Sequence, residues 1–196
     1  MDAVKKTYNL LYTTATLNQT PYGYGRNRES SFIRYIREYV PVGASVFDAG
    51  CGRGQIIKWL NMAGYKAFGC EIADELFKEG RDLHKQPVTY ATYDDLASWD
   101  KDQFDVVISN DVLEHLLDED EARRGYGNLV GISKQFVLVS VGLRNCHNPF
   151  HKETGLKELH SIVMPKKWWR ELFSELCELD EVFEAAASFF MFGKKK

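Results

Sequence analysis

Residues 46–54 read VFDAGCGRG, an apolar strand running directly into a turn with glycine at every second position. Glycines at this spacing let the main chain turn tightly and lie against a ligand with no side chain between. The segment that follows, from Gln55 to Ala63, has helical spacing of its apolar residues, so the prediction is strand, turn, helix. Unbonded N–H groups at the start of such a helix suit an anionic group. The turn departs from the dinucleotide pattern G-x-G-x-x-G, because Gln55 stands where the third glycine would fall. Asp48, two residues before Gly50, would repel a pyrophosphate and suits a ligand that carries an ammonium group. No Gly-Lys-Ser/Thr follows, which excludes a P-loop.

The rest of the chain supplies a frame for this turn. Short apolar runs begin at Ser45-Val46-Phe47 and recur at Lys66–Cys70, Val88–Thr92, Phe104–Ser109 and Phe136–Val141. Runs without alternation predict strands buried on both faces, as in a parallel sheet covered by helices. Helical patterns lie between them, at Ser30–Tyr39, Gln55–Ala63, Ala73–Glu79 and from Val112 to Leu116. Pro165 suits the first turn of another helix, carrying Trp168, Trp169, Leu172, Phe173 and Leu176. The two Trp residues are consecutive, so only one of them can face the core. This order predicts the α/β class with right-handed crossovers. Leu179–Glu184 and Ala187–Phe192, with almost nothing between them, predict a terminal antiparallel hairpin.

Acids stand at the ends of successive strands: Asp48 after the first, Glu71 after the second, Asp94 and Asp95 after the third. Open α/β sheets bind ligands in the crevice at those carboxyl ends, and an acid after the second strand suits ribose hydroxyls. A carboxylate at the third strand can accept a bond from an adenine amino group.

In order along residues 44–141, VFDAGCGRG, GCEIADE, YDDL and FDVVISNDVLEHL resemble the motifs of class I S-adenosylmethionine-dependent methyltransferases. The resemblance implies a Rossmann-like, doubly wound, mostly parallel seven-stranded sheet with an antiparallel C-terminal strand pair. It implies that Asp48 and the backbone of Gly50, Cys51, Gly52 and Gly54 hold the methionyl part of S-adenosyl-L-methionine. Glu71 and Ile72 would meet the ribose, Asp94 or Asp95 with Leu96 the adenine, and Asn110 would border the sulfur. Tyr8–Arg28, rich in Tyr, Thr and Asn, reads as a lid in which Tyr22-Gly23-Tyr24-Gly25-Arg26 closes over the ligand. Arg26 would approach the cofactor carboxylate.

Methyl transfer from a sulfonium needs alignment and, for some acceptors, a base. Asp111, Glu114 and His115 are spaced i, i+3, i+4 and would share one face of a helix. They resemble the E-x-x-E-H motif of metal-assisted O-methyltransferases, with Asp in place of the first Glu. Mg²⁺ or Mn²⁺ on these three is the lesser expectation; the favoured reading has no metal. Three of the five histidines, His147, His151 and His160, fall in the loop after the fifth strand. With His115 they are the candidate bases. Zinc competes for that loop, but no cysteine pair supports it.

The chain of 196 residues is expected to be a single domain: cap or lid 1–43, cofactor core 44–141, acceptor-side loop 142–164, terminal helix and hairpin 165–196. A net charge of −3 disfavours general nucleic-acid binding. Cys51, Cys70, Cys146 and Cys177 form no C-x-x-C pair and predict free thiols in a cytoplasmic protein, with no signal peptide or membrane span. The expected activity is O-methylation of a small polar molecule or glycan. The alternatives are a metal-assisted RNA 2′-O-methyltransferase and a non-catalytic S-adenosylmethionine-binding module, with a nicotinamide dehydrogenase as an outside reading.

Overall fold

The computed structural model describes the backbone of residues 2–17, 26–185 and 188–196, and the side chains of 3–13, 32–179 and 188–196. The chain opens with helices α1 (Asp2–Leu17) and α2 (Arg26–Tyr39). Then come β1 (Ser45–Ala49), α3 (Gln55–Met62), β2 (Lys66–Glu71), α4 (Asp74–Lys78), β3 (Val88–Tyr90) and β4 (Phe104–Asn110). The remainder is α5 (Glu119–Ile132), β5 (Ser133–Gly142), α6 (His151–Thr154), α7 (Lys166–Leu176), β6 (Cys177–Ala185) and β7 (Ser188–Lys195).

The strands form one seven-stranded sheet in the order β3-β2-β1-β4-β5-β7-β6. The first five are parallel, and β7 runs antiparallel between β5 and β6. The order reverses between β1 and β4, so their carboxyl ends part around a crevice, where open sheets place ligands. Successive residues of β4 pack on opposite sides. Val107 joins a core with Leu129 of α5 and Trp169 and Phe173 of α7. Val106 and Ile108 join a second core with Phe32 and Ile36 of α2 and Ile57 and Leu60 of α3. Helices therefore cover both faces, which is why these strands tolerate no alternation of polar residues.

Several elements differ from the sequence expectation. β3 stops at Tyr90, because Thr92 starts a cap described below. Residues Leu113–His115 form a single 3-10 turn, and Leu116 is already extended. The i, i+3, i+4 face expected of an α-helix there does not exist. Pro165 precedes the first turn of α7 instead of sitting inside it, with ψ 153°. Trp169 is fully buried and Trp168 only partly, as consecutive helical positions require.

One glycine of the sheet has a steric role. Gly69 of β2 lies against β1, and a Cβ there would sit 2.6 Å from the carbonyl oxygen of Asp48 and 2.9 Å from Cys51. The close approach sets the height of the glycine turn above the sheet.

Candidate active site

The glycine turn leaves β1 at Asp48 and enters α3 at Gln55. Gly50, Gly52 and Gly54 all have positive φ, at 76°, 55° and 75°, where a side chain would be strained. At Gly50 a Cβ would also collide with Val112, 2.6 Å away. The amides of Gly50 and Cys51 both donate to the Cys70 carbonyl at 2.9 Å, which locks the turn onto the end of β2.

Glu71 completes that lock. Its carboxylate accepts from the Gly52 amide at 2.9 Å and from the Ile72 and Ala73 amides, both at 2.7 Å. Burial pushes its carboxyl above the ordinary range, against the pull of the three N–H groups. Asp48 is buried, 2% exposed. Beneath the turn the Tyr93 hydroxyl bridges the Ala49 carbonyl, at 3.2 Å, and Ser109 Oγ, at 2.7 Å, tying β1 to β4.

A cavity of about 240 Å³ opens over these residues. Its floor is Asp48, Gly50, Cys51 and Gly52; one wall is Glu71 and Ile72, and another is Asn110, Asp111 and Val112. Thr92 and Tyr93 line the corner after β3, and His115, Leu116 and His160 close the far end. Val4, Tyr8 and Tyr12 of α1 form the roof. They recur every four residues, a one-face helical spacing that the sequence reading passed over. Helix α1 is tied down by Asn9, which bonds the Asp74 carboxylate at 2.8 Å and accepts from the Asp74 amide at 2.7 Å. Lys5 reaches the same carboxylate at 3.1 Å.

Other expected site residues stand elsewhere. Gly54 caps α3 and does not line the cavity. Asp94 and Asp95 are exposed. Asp95 accepts from the Thr92 amide and hydroxyl at 2.7 and 2.8 Å, while its own amide donates to Thr92 Oγ1 at 3.2 Å. That reciprocal pair is a capping box, T-x-x-D, at the turn over Asp95–Ser98. Leu96 is buried in the core. The lid stretch Tyr22–Gly25 and the side chain of Arg26 lie outside the described residues.

The histidines separate into two pairs. His147 and His151 are exposed, 5.6 Å apart between ring centroids, and neither lines the cavity. Their part of the loop folds on itself, the Asn148 side-chain amide reaching Thr154 and the Leu156 carbonyl. His115 and His160 line the cavity, with ring centroids 4.7 Å apart. His115 Nδ1 pairs with the Leu159 carbonyl at 2.9 Å and His160 Nδ1 with the Arg144 carbonyl at 2.6 Å. A carbonyl only accepts, so each Nδ1 donates to its carbonyl. Burial, followed by the neighbouring His160, brings His115 down to about 4, although the Leu159 carbonyl opposes the shift. Glu114 is fully buried and accepts from the Gly142 amide at 2.5 Å. Asp111 faces Ser140, whose hydroxyl lies 2.9 Å from Asp111 Oδ1.

Residues 47–126 match the sequence profile of a methyltransferase domain. The chain contains a methyltransferase domain. No curated protein sequence matches it. The fold of the chain is similar to magnesium protoporphyrin IX methyltransferase from Synechocystis with bound S-adenosylhomocysteine, at TM-score 0.74 and 17% identity over 98% of each chain. It is also similar to a TehB-like S-adenosylmethionine-dependent methyltransferase from Corynebacterium glutamicum, at TM-score 0.65 and 18% identity over 100% of each chain. A protein from Pyrococcus horikoshii aligns at TM-score 0.71 and 14% identity, over 87% of this chain and 91% of that one. The residues present fit the S-adenosylmethionine that the sequence motifs imply: a buried carboxylate at Asp48, a second at Glu71, and glycines where a Cβ would intrude. No helix among the described residues is long and apolar enough to cross a membrane.

Proposed function

We propose that the methyltransferase methylates a hydroxyl oxygen on a small polar molecule or glycan. The observation that carries this reading is the His115–His160 pair at the end of the cofactor cavity, 4.7 Å apart and each with its Nδ1 committed to a carbonyl. S-adenosylmethionine, when bound, supplies an electrophilic methyl group on a positive sulfur. In this reading the Asp48 carboxylate balances the cofactor ammonium, and Glu71 and Ile72 meet the ribose. Thr92 and Tyr93 take the adenine corner that the capping role of Asp95 leaves to them, and Asn110 borders the sulfur. The histidine pair activates the acceptor, drawing the hydroxyl proton away from oxygen.

A second cavity supports a small acceptor over a nucleic acid. It shares His160 with the first and is floored by Leu117, Leu156, Ile162, Val163 and Met164. Asp118, Glu119 and Glu158 at its edge outnumber Lys157, an arrangement that repels a phosphate backbone. The four free thiols, three of them buried, support a reducing, cytoplasmic setting.

The test is cofactor turnover over a panel of hydroxylated small molecules, sugars and a short RNA. The expected result is product with a small hydroxylated acceptor, and a kcat lowered by about a hundredfold in His160→Gln with cofactor affinity retained. Product with RNA alone, at an affinity that falls steeply with salt, would replace this reading with the nucleic-acid one. Tight cofactor binding with no product across the panel would favour a non-catalytic module.

A further inference from the structure

We propose that the second cavity binds the body of the acceptor and selects one that carries an ammonium group. The acceptor is then a hydroxylated amine with an apolar segment between its two polar ends. The proposal rests on the hydroxyl-methylating reading given above and specifies its substrate class. His160 lines both cavities, so a molecule seated in the second reaches the acceptor end of the first past that imidazole. The second cavity measures about 650 Å³, within the size usual for small-molecule sites.

The walls of this cavity are fixed by the backbone. Glu158 pairs antiparallel with His147. On either side of it, the Asn148 amide donates to the Lys157 carbonyl at 3.3 Å and the Leu159 amide to the Cys146 carbonyl at 2.6 Å. The Ile162 amide donates to the Glu114 carbonyl at 3.0 Å, which holds the loop against the turn after β4. Leu117 and Val163 in the cavity stay 40% and 38% exposed, apolar surface that a ligand would remove from water.

The balance of charge decides the second polar end. Among the described residues, Asp118, Glu119 and Glu158 line the cavity against Lys157 alone. The start of α5, which would otherwise favour an anion, already carries its own. Asp118 accepts from the Glu121 amide at 2.8 Å, and Glu121 accepts from the Leu117 amide at 2.6 Å. The first cavity offers an anion no better partner, because Asp48, Glu71 and Asp111 line it and no Lys or Arg among the described residues does. A carboxylate or phosphate on the acceptor would therefore lie among like charges in either cavity. An ammonium at the edge formed by Glu119 and Glu158 is attracted, with the hydroxyl directed to His160.

The experiment titrates three phenols by calorimetry into the full chain saturated with S-adenosylhomocysteine: tyramine, para-ethylphenol and para-hydroxyphenylpropionate. They share the ring and hydroxyl and carry an ammonium, no charge and a carboxylate respectively. Apolar burial alone would favour the uncharged one. Tyramine is expected to bind about threefold or more tighter than para-ethylphenol and about tenfold or more tighter than the carboxylate, with the preference fading at high salt. The Glu119→Gln/Glu158→Gln double variant should lose that preference and keep its affinity for S-adenosylhomocysteine. Tyramine binding no tighter than para-ethylphenol, no binding of any of the three, or a preference unchanged in the double variant would overturn the cation site. Turnover with S-adenosylmethionine tests the underlying reading separately. An ether formed from the carboxylate in preference to tyramine keeps the hydroxyl reading and overturns the cation site. The binding preference without any ether product keeps the cation site and removes the hydroxyl reading.

Discussion

The Glu71 carboxylate accepts a hydrogen bond from the Gly52 amide at 2.9 Å, so the acid that ends β2 also shapes the glycine turn after β1. A residue placed for a ligand is thereby part of the scaffold. Glu71→Gln turns an N–H towards at least one of three backbone donors. A buried donor left without its acceptor costs about 1–3 kcal/mol. We expect a lower melting temperature, by about 2–4 °C per kcal/mol at this chain length, together with weaker S-adenosylmethionine binding. Calorimetric scanning and titration of the same variant measure both; a change in affinity with no change in stability would assign Glu71 to the ligand alone.

Asp95 should behave oppositely. Its carboxylate is engaged with Thr92 and lies outside the cavity. Asp95→Ala is expected to cost about 1 kcal/mol of stability, as for the loss of a helix cap, and to leave cofactor affinity within about twofold. A tenfold loss of affinity would restore the adenine role that its sequence position suggests.

Gly69→Ala tests the spacing of β2 against the glycine turn. The added methyl would meet the Asp48 carbonyl at 2.6 Å and Ile57 Cδ1 at 2.7 Å, and the carbonyl is backbone that cannot swing aside. Overpacking of this kind costs about 1–3 kcal/mol. Denaturant unfolding should show that loss, and cofactor binding should weaken with it because the turn must shift. Gly127→Ala, where a Cβ meets nothing within 4 Å, is the matched control and should be neutral or slightly stabilising within a helix.

The roof helix should loosen with acid. Asp74 has its carboxyl below the ordinary range. Burial acts to raise it, and the bonds and charge from Lys5 and Asn9 prevail. A carboxyl whose folded value is depressed stabilises the folded state above its unfolded value, near 3.9, and loses that contribution as pH falls through the folded value. Amide exchange in α1 should therefore accelerate below about pH 4 in the wild type. In Asp74→Asn it should be faster at neutral pH and respond less to acid. Equal pH dependence in the two proteins would mean that Asp74 does not hold α1.

Much of the frame was legible because it rests on periodicity. The apolar runs of β1, β2, β4 and β5 have no polar alternation, and the run from Cys177 to the C-terminus has room only for a hairpin. The Asp48–Gly54 turn was legible because positive φ demands glycine. Two kinds of feature were not. Thr92-Tyr93-Asp94-Asp95 reads equally as an acid offered to a ligand or as a capping box, and only the Thr92–Asp95 bonds separate them. Leu113-Glu114-His115 has helical composition, yet Glu114 turns inward to Gly142 and His115 to Leu159, contacts 28 and 44 residues away that no local pattern encodes. The pairing of His115 with His160 in preference to His147 or His151 is likewise a product of the loop's path. Val4, Tyr8 and Tyr12 were within reach, since their spacing of four marks one helical face.

In the reading proposed above, Asp48 at the glycine turn selects a ligand bearing an ammonium group. This selection is measured by calorimetric titration of S-adenosylmethionine into wild type and Asp48→Ala, with a nicotinamide dinucleotide titrated in parallel. Removing one partner of a buried charge pair costs about 3–5 kcal/mol, so affinity should fall by about a hundredfold or more while the variant stays folded. Unchanged S-adenosylmethionine affinity in Asp48→Ala, or tighter binding of the dinucleotide by the wild type, would contradict it.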